Sequence, residues 1–389
     1  MNLTELKSLC VVASGREWKV ADKYHTPLFA SNLRITSKDH NSTWVVCNGS
    51  KRVSFTTSGF GVCDVTTPID GVKDALKAFP NKGEVEVVIN GNLTLTCAGM
   101  SVKLPIEPVG DKNVFPDFLL LDSVSVGGKF APLPAVTIGT KTLLDLFERI
   151  TPFVSRDDFR PAMNHLCFDF NNHKIAATNG HVMAVETMPE SMQNLTPSSE
   201  RKTVLVAPVG ITLKRLVKCF DAETEIRLFD THTVYSSGTW DIAVNNEDEN
   251  FPPYEKIIPG EVTFNERMNS YPLDFVLNAD KLAPVVQVSN PATKACVFTI
   301  LTDRVLIEAM STNGEKSRLT TAIECVPVVP ETTEPVRAAF NGEYLLDCLN
   351  FMGTEQVLHC AYENSKVVSC AVMRNENRIA LIMPVRLSN

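Results

Sequence analysis

Residues 175 to 186, IAATNGHVMAVE, set a single histidine, His181, directly after an Asn-Gly pair and between two runs that read as strands. An imidazole in such a place can act as a general base, ligate a metal, touch a bound partner or simply finish a hairpin. A second stretch, LIEAMSTNGEKSRLTT from Leu306, repeats Thr-Asn-Gly but puts Glu315 where the histidine stood. Seven histidines and eleven cysteines could in principle build a Cys-His nucleophile, yet there is no G-x-S-x-G, H-E-x-x-H or Walker-type loop. His165, His173 and His232 read as surface or turn residues. The cysteines are odd in number, contain no C-x-x-C pair and sit mostly among apolar residues, as Cys97, Cys219 and Cys348 do. They read as buried free thiols rather than as zinc ligands or a disulfide framework. No catalytic residue, metal site or cofactor is expected.

The second chemistry on offer is that of the basic residues. With 37 basic against 45 acidic residues the net charge is -8, which argues against a nonspecific nucleic-acid surface unless the bases gather on one face. Two helical stretches gather them. Aligning Phe79 with Phe220 puts Val72 on Leu213, Ala75 on Leu216 and Leu76 on Val217, the inward stripe of a helix on a sheet. In that register Lys73 falls on Lys214 and Lys77 on Lys218, each pair four apart on one exposed face, with Arg215 added in the second copy. A third stretch places Leu346 and Asn350 there instead.

The elements that carry these residues recur. Thr67 onward, Ala207 onward and Phe340 onward each read as a helix of about ten residues, a break and three strands separated by tight turns. The three helices lie roughly 130 to 140 residues apart, a spacing of whole domains. Upstream of each comes another helix (LTELKSLCVVA, KTLLDLFERITPF, NADKLAPVVQV), then strand, turn and strand with Asn48-Gly49, Asn179-Gly180 or Asn313-Gly314 at the turn. Asn-Gly supplies the positive φ angles of a tight hairpin, so the turn itself is scaffold. Linkers are expected near SVSVGGKFAPLP and IIPGEVTFNERMNS, giving domains over 1–127, 128–260 and 261–389. No apolar run approaches the ~20 residues that span a bilayer, and MNLTELKSLC lacks a secretory build, so a cytoplasmic protein without a membrane partner is expected.

Three segments together resemble one family. RPAMNHLCFDFNNHKIAATNGHVMAVE is similar to a segment ending A-T-D-G-H-R-L-A-V, NFPPYEKIIP to F-P-D-Y-R-R-V-L-P, and FNGEYLLDCLNFMGTEQV with IMPVRLSN to a third-domain helix and an M-P-M-R-L terminus. These are marks of the beta subunit of bacterial DNA polymerase III, the sliding clamps. The resemblance implies an α+β fold of three clamp domains, each two helices packed on antiparallel sheets, in a head-to-tail homodimeric ring. It implies a processivity factor that encircles double-stranded DNA without reading sequence, with a DNA polymerase catalytic subunit, a clamp loader and other clamp-motif peptides as partners. Its DNA-facing residues would be Lys23, Lys73, Lys77, Lys214, Arg215 and Lys218. Its peptide pocket, between the second and third domains, would comprise Met163, Thr178, Gly180, His181, Val182, Met183, Pro252, Lys256, Ile257, Leu381, Met383, Pro384, Val385 and Arg386. There His181 contacts a peptide and catalyses nothing, and Met163, Met183 and Met383 offer adaptable thioethers. The chain departs from the family at Asn179, Val182 and Pro253 and in its extension Ser388-Asn389, so its peptide preference is expected to differ. The alternatives are a clamp-fold peptide-binding hub, a transcription-coupled clamp of a virus or mobile element, or a Cys/His hydrolase.

Overall fold

The computed structural model describes residues 1–14, 28–110, 123–126, 129–132, 135–157, 159–197, 202–258, 272–289, 294–300, 305–309, 321–323, 336–363, 366–367 and 370–385. The chain divides into two compact units, Met1–Phe147 with Pro189–Glu247, and Glu148–Met188 with Asp248–Asn389.

In the first unit, Asn2 opens the Leu3–Val12 helix by accepting the Thr4 N–H on its side chain, and Leu3, Leu6, Leu9 and Val12 form the buried stripe. The Ile69–Ala78 helix buries Val72, Ala75 and Leu76, the stripe that its spacing predicts. Its counterpart Gly210–Leu216 buries Leu213 and Leu216, but is only 7 residues long. The amide of Cys219 bonds the Leu216 carbonyl at 2.7 Å, an i to i+3 closure that tightens the chain out of the α-helix, so Lys218 lies in the turn beyond it. These helices accompany a continuous antiparallel sheet. Its strands run, side by side, Glu107–Pro108, Cys63–Pro68, Asn32–Lys38, Asn41–Cys47, Lys51–Ser58, Trp240–Glu247, His232–Ser237, Glu223–Leu228 and Ala135–Gly139. A second sheet pairs Glu86–Ile89, Asn92–Cys97 and Met100–Pro105.

The middle of the long sheet is the informative place. Lys51–Ser58 belongs to the first sequence repeat and Trp240–Glu247 ends the second, yet they pair directly, Trp240 opposite Phe55 and Val244 opposite Lys51. Buried aromatics seal that seam: Phe55 lies 4.9 Å from Trp240 and 6.1 Å from Trp44, ring centre to ring centre.

The second unit repeats the device. Leu166–Asp169, Lys174–Thr178, Val182–Thr187, Arg378–Ile382, Ala371–Arg374, Glu355–Glu363 and Pro272–Asn278 lie in one antiparallel series. Here Val182–Thr187, the third strand after the first helix of the second repeat, pairs with Arg378–Ile382, last strand of the third, with Val182 opposite Ile382 and Met183 opposite Leu381. A further sheet holds Thr321–Ile323, Val305–Ala309, Ala295–Ile300 and Val336–Asn341. The helices Ala279–Val288 and Gly342–Met352 complete the repeat, each opened by an asparagine that accepts two backbone N–H groups. They approach closely at Gly342, where a Cβ would stand 2.5 Å from a Val286 methyl carbon and 2.9 Å from the Cys296 sulfur. The α+β class with paired helices on antiparallel sheets is thus observed in each repeat.

Two readings are adjusted. Of the Asn-Gly pairs, only the glycines take positive φ, Gly49 at 95° and Gly180 at 86°. The asparagines contribute their side chains, Asn48 accepting the N–H of Ser50 and Lys51 and Asn179 those of His181 and Val182. His232 is not a surface or turn residue: it opens a strand, is 8% exposed and stacks 4.3 Å from Phe229. Asn313-Gly314 lies outside the described residues.

Candidate functional site

The Asn179-Gly180 turn places His181 at the end of Val182–Thr187, beside the last strand of the chain. Thr178 Oγ1 donates to the Val182 carbonyl at 2.8 Å and receives the Gly180 N–H at 3.1 Å, so the turn is clamped from within. The Met383 N–H donates to the His181 carbonyl at 2.9 Å, and the Val385 N–H to the Ala339 carbonyl at 2.7 Å. Backbone bonds therefore fix where Met383, Pro384 and Val385 leave the sheet. Met163 arrives from the Pro161–Asn164 turn: a Cβ on Gly180 would meet its Cε at 3.4 Å and the Arg160 guanidinium at 3.1 Å. Only a bare α-carbon lets those two side chains come so near the turn.

The residues named from the resemblance separate by exposure. His181 is exposed, Met383 is 49% exposed and Val385 37%, a set available to a partner. Val182, Met183 and Leu381 are buried, because the seam pairs them with strand neighbours and closes over them. Met163 and Thr178 are also buried. In the segment with Pro252, Lys256 and Ile257, the Tyr254 hydroxyl donates to Asp169 Oδ2 at 2.7 Å and the Asn172 amide to Glu255 Oε1 at 2.6 Å, and Lys256 and Ile257 are exposed. Burial opposes ionisation of Asp169, but the Tyr254 hydroxyl, the Asn172 amide and the Asn171 and Asn172 N–H groups hold its carboxyl below the usual range. Arg386 lies outside the described residues.

Beside His181 opens a cleft of about 570 Å³ whose walls include Arg156, Arg160, Asn179, Tyr344 and Asp347. The His181 and Tyr344 rings lie 6.3 Å apart with their planes at 13°. Asp347 is pushed up to about 6 by burial and by the neighbouring Glu343 charge, against the pull of Arg156. Tyr344, Arg160 and Asp347 are absent from the set that the sequence suggests. Tyr344 was within reach of it: FNGEY is part of the quoted third-domain resemblance, and the Asn341 cap fixes how that helix begins.

The candidate DNA-facing side chains lie in the first unit, apart from Lys23, which falls outside the described residues. Lys77, Lys214 and Lys218 are exposed and Lys73 is half-buried. Lys73 Nζ sits 3.0 Å from Asp70 and Lys77 Nζ 2.7 Å from Asp74, each pair three residues apart on its helix. Arg215 reaches across to the Val12 carbonyl at 3.4 Å, at the end of the Leu3–Val12 helix.

Burial acts on six of the thiols. Burial pushes Cys10 up to about 12 and Cys47 and Cys296 up to about 11, and raises Cys63, Cys167 and Cys348 as well, far from the thiolate that a nucleophile needs. Among the described residues no group of three or more His, Cys, Asp or Glu is placed to hold a metal ion, and no helix is long and apolar enough to cross a membrane.

Repeats of two helices on antiparallel sheets, joined edge to edge so that each seam pairs the third strand after one repeat's first helix with the last strand of the next, define the DNA-clamp fold. The chain superimposes on the crystal structure of the DNA polymerase III subunit beta from Pseudomonas aeruginosa with a TM-score of 0.76, covering 99% of both chains at 18% identity. A Pseudomonas aeruginosa sliding clamp bound to griselimycin gives 0.75 over 100% of this chain and 98% of that one at 18% identity, and the Thermotoga maritima beta subunit gives 0.75 over 100% and 99% at 16% identity. In sequence the chain is similar to the beta sliding clamp of Pseudomonas aeruginosa, 24% identical over 83% of this chain and 82% of the relative. It is 22% identical to the clamp of Escherichia coli over 83% and 81%. No protein-family profile matches it. The resemblance suggested by three short motifs thus extends over most of the chain, and the fold is that of the beta sliding clamps.

Proposed function

We propose that the chain is a sliding clamp, a non-catalytic processivity factor that closes around duplex DNA as a head-to-tail homodimer and tethers a polymerase catalytic subunit. Its domains would be 1–127, 128–260 and 261–389. The carrying observation is the seam. It occurs once between repeats one and two and once between repeats two and three, in the same strand-to-strand form. The edge strand of the first repeat's second sheet, Met100–Pro105, pairs among the described residues with Asn92–Cys97 alone. Such an edge is a template for another strand, and a heterologous contact with the third repeat of a second copy would use it and close the assembly.

The similarity to beta sliding clamps supports DNA, a clamp loader and peptide-bearing partners as what this chain meets, and a cytoplasmic setting. His181, Met383, Val385 and Tyr344 are the proposed contacts for an apolar-anchored peptide, with Met163, Met183 and Leu381 supporting them from below. The proposed DNA-facing residues are Lys23, Lys73, Lys77, Lys214, Arg215 and Lys218.

The test is retention of the loaded protein on circular and linearised DNA. A closed ring stays on a circle through a high-salt wash and slides from a linear duplex, because topology and not charge holds it. Equal release from both by salt would identify an ordinary DNA binder.

A further inference from the structure

We propose that Asn90 is a site of spontaneous deamidation, which converts the turn between Glu86–Ile89 and Asn92–Cys97 to a mixture of aspartate and isoaspartate. Such a reaction needs the amide nitrogen of the following residue to reach the asparagine Cγ, and the asparagine side chain to be free to turn toward it. A following glycine favours both, because it has no Cβ to obstruct the approach.

The chain contains Asn-Gly at Asn48, Asn90, Asn179, Asn313 and Asn341, of which Asn313 lies outside the described residues. Three of the others are tethered on both reacting groups. Asn48 Oδ1 accepts the N–H of Ser50 at 3.1 Å and of Lys51 at 2.7 Å, and the Gly49 N–H donates to the Cys47 sulfur at 3.3 Å. Asn179 Oδ1 accepts from His181 at 2.9 Å and Val182 at 3.0 Å, and the Gly180 N–H donates to Thr178 Oγ1 at 3.1 Å. Asn341 caps its helix through the N–H groups of Glu343 at 2.9 Å and Tyr344 at 3.2 Å, and the Gly342 N–H donates to the Lys294 carbonyl at 2.7 Å. In each, the bonds on the amide oxygen hold Cγ in place, and the glycine nitrogen is aimed elsewhere.

Asn90 has neither restraint. Its own N–H closes the turn on the Asn92 carbonyl at 3.1 Å, but among the described residues its exposed side chain makes no hydrogen bond and the Gly91 N–H donates none. A Cβ on Gly91 would meet nothing within 4 Å, so the turn stands clear of the rest of the protein.

In the reaction a base takes the Gly91 amide proton, the nitrogen bonds to Asn90 Cγ, and the Cγ–Nδ2 bond breaks with loss of ammonia. Water then opens the cyclic imide at either carbonyl. Opening at Cγ leaves aspartate, whereas opening at the backbone carbonyl leaves isoaspartate and inserts a methylene into the main chain. Both products add a negative charge, at the end of the sheet where Asn92 stands opposite Pro105.

The test ages the full-length protein at mildly alkaline pH, folded and in denaturant, and follows each asparagine by peptide mass mapping. In the folded protein Asn90 should convert at least about tenfold faster than Asn48, Asn179 or Asn341, since two hydrogen bonds on each of those side chains must open first. In denaturant that advantage should vanish. Isoaspartate should accompany aspartate at residue 90, scored by isoaspartyl methyltransferase with labelled S-adenosylmethionine. No substitution is involved, so no result can be blamed on a variant that fails to fold. A folded-state rate at Asn90 no higher than at the other three, an advantage that persists in denaturant, or aspartate without isoaspartate would each overturn the proposal.

Discussion

The imidazole of His181 lies nearly parallel to the Tyr344 ring, centre to centre 6.3 Å, although 163 positions of chain separate them. One residue is fixed by a hairpin turn and the other by the start of a helix, so the pair forms a preset aromatic wall. A peptide with leucine or phenylalanine anchors should pack against that wall and against Met383. Tyr344→Ala combined with Met383→Ala should weaken a polymerase tail peptide at least tenfold, about 1.4 kcal/mol, by calorimetry, with the sedimentation coefficient unchanged. Met183 is a poor choice for this test, since at 4% exposure it belongs to the seam's core. A mutant that binds the peptide like the parent would move the site elsewhere.

Glu186 shows what holds the second seam. Its Oε1 accepts from Arg149 Nη2 at 2.9 Å and from Arg378 Nε at 3.0 Å, and Glu186 and Arg378 stand directly opposite in register. Glu186 is the shared partner: removing it strands two guanidiniums and costs on the order of 3–5 kcal/mol, whereas removing Arg378 leaves Glu186 paired with Arg149. Glu186→Gln should therefore lower thermal stability more than Arg378→Met. Comparable losses from both would show that charge pairing matters little at this seam.

The open edge invites a backbone test. Adjacent residues of an edge strand alternate in whether their N–H points outward, so of Ser101→Pro and Val102→Pro one removes an outward donor. That variant should sediment near the 42.8 kDa chain mass, and the parent near twice this value. Two variants that both remain dimeric would exclude Met100–Pro105 from the interface.

Asp347 adds a pH dependence. Its folded pKa of about 6 lies above the ordinary value of 3.8, so the folded form takes up the proton more readily than the unfolded chain. The stability this gives is full below the unfolded value and is lost as pH rises through about 6. Asp347→Asn should flatten the thermal-stability profile between those limits. A mutant profile that retains the parent's slope there would assign the slope to other groups.

Much of this architecture is legible in the sequence because it repeats. Val72, Ala75 and Leu76 announce their inward stripe by spacing alone, and the Asn-Gly turns announce the hairpins. The seams are not legible, since nothing local marks Phe55 as the partner of Trp240 or Met183 as that of Leu381. Pairing between repeats is decided by twist and edge complementarity over distant segments. This is why the resemblance offers Met163 and Met183 as peptide contacts while the structure shows both buried. That Arg160 shares a cleft with Tyr344 and Asp347 is illegible for a similar reason: two distant elements, the Pro161–Asn164 turn and the Gly342–Met352 helix, bring them together.

The seam between Lys51–Ser58 and Trp240–Glu247 is made of backbone bonds and buried aromatics, neither of which depends on a peptide link between the repeats. Such a joint does not distinguish a neighbour on the same chain from a neighbour on another. The division of the assembly into chains is then a matter of where the gene begins and ends rather than of mechanics. Fragments 1–127 and 128–389, produced together as separate polypeptides, should find each other through this seam and purify as one complex, as though the chain had never been cut.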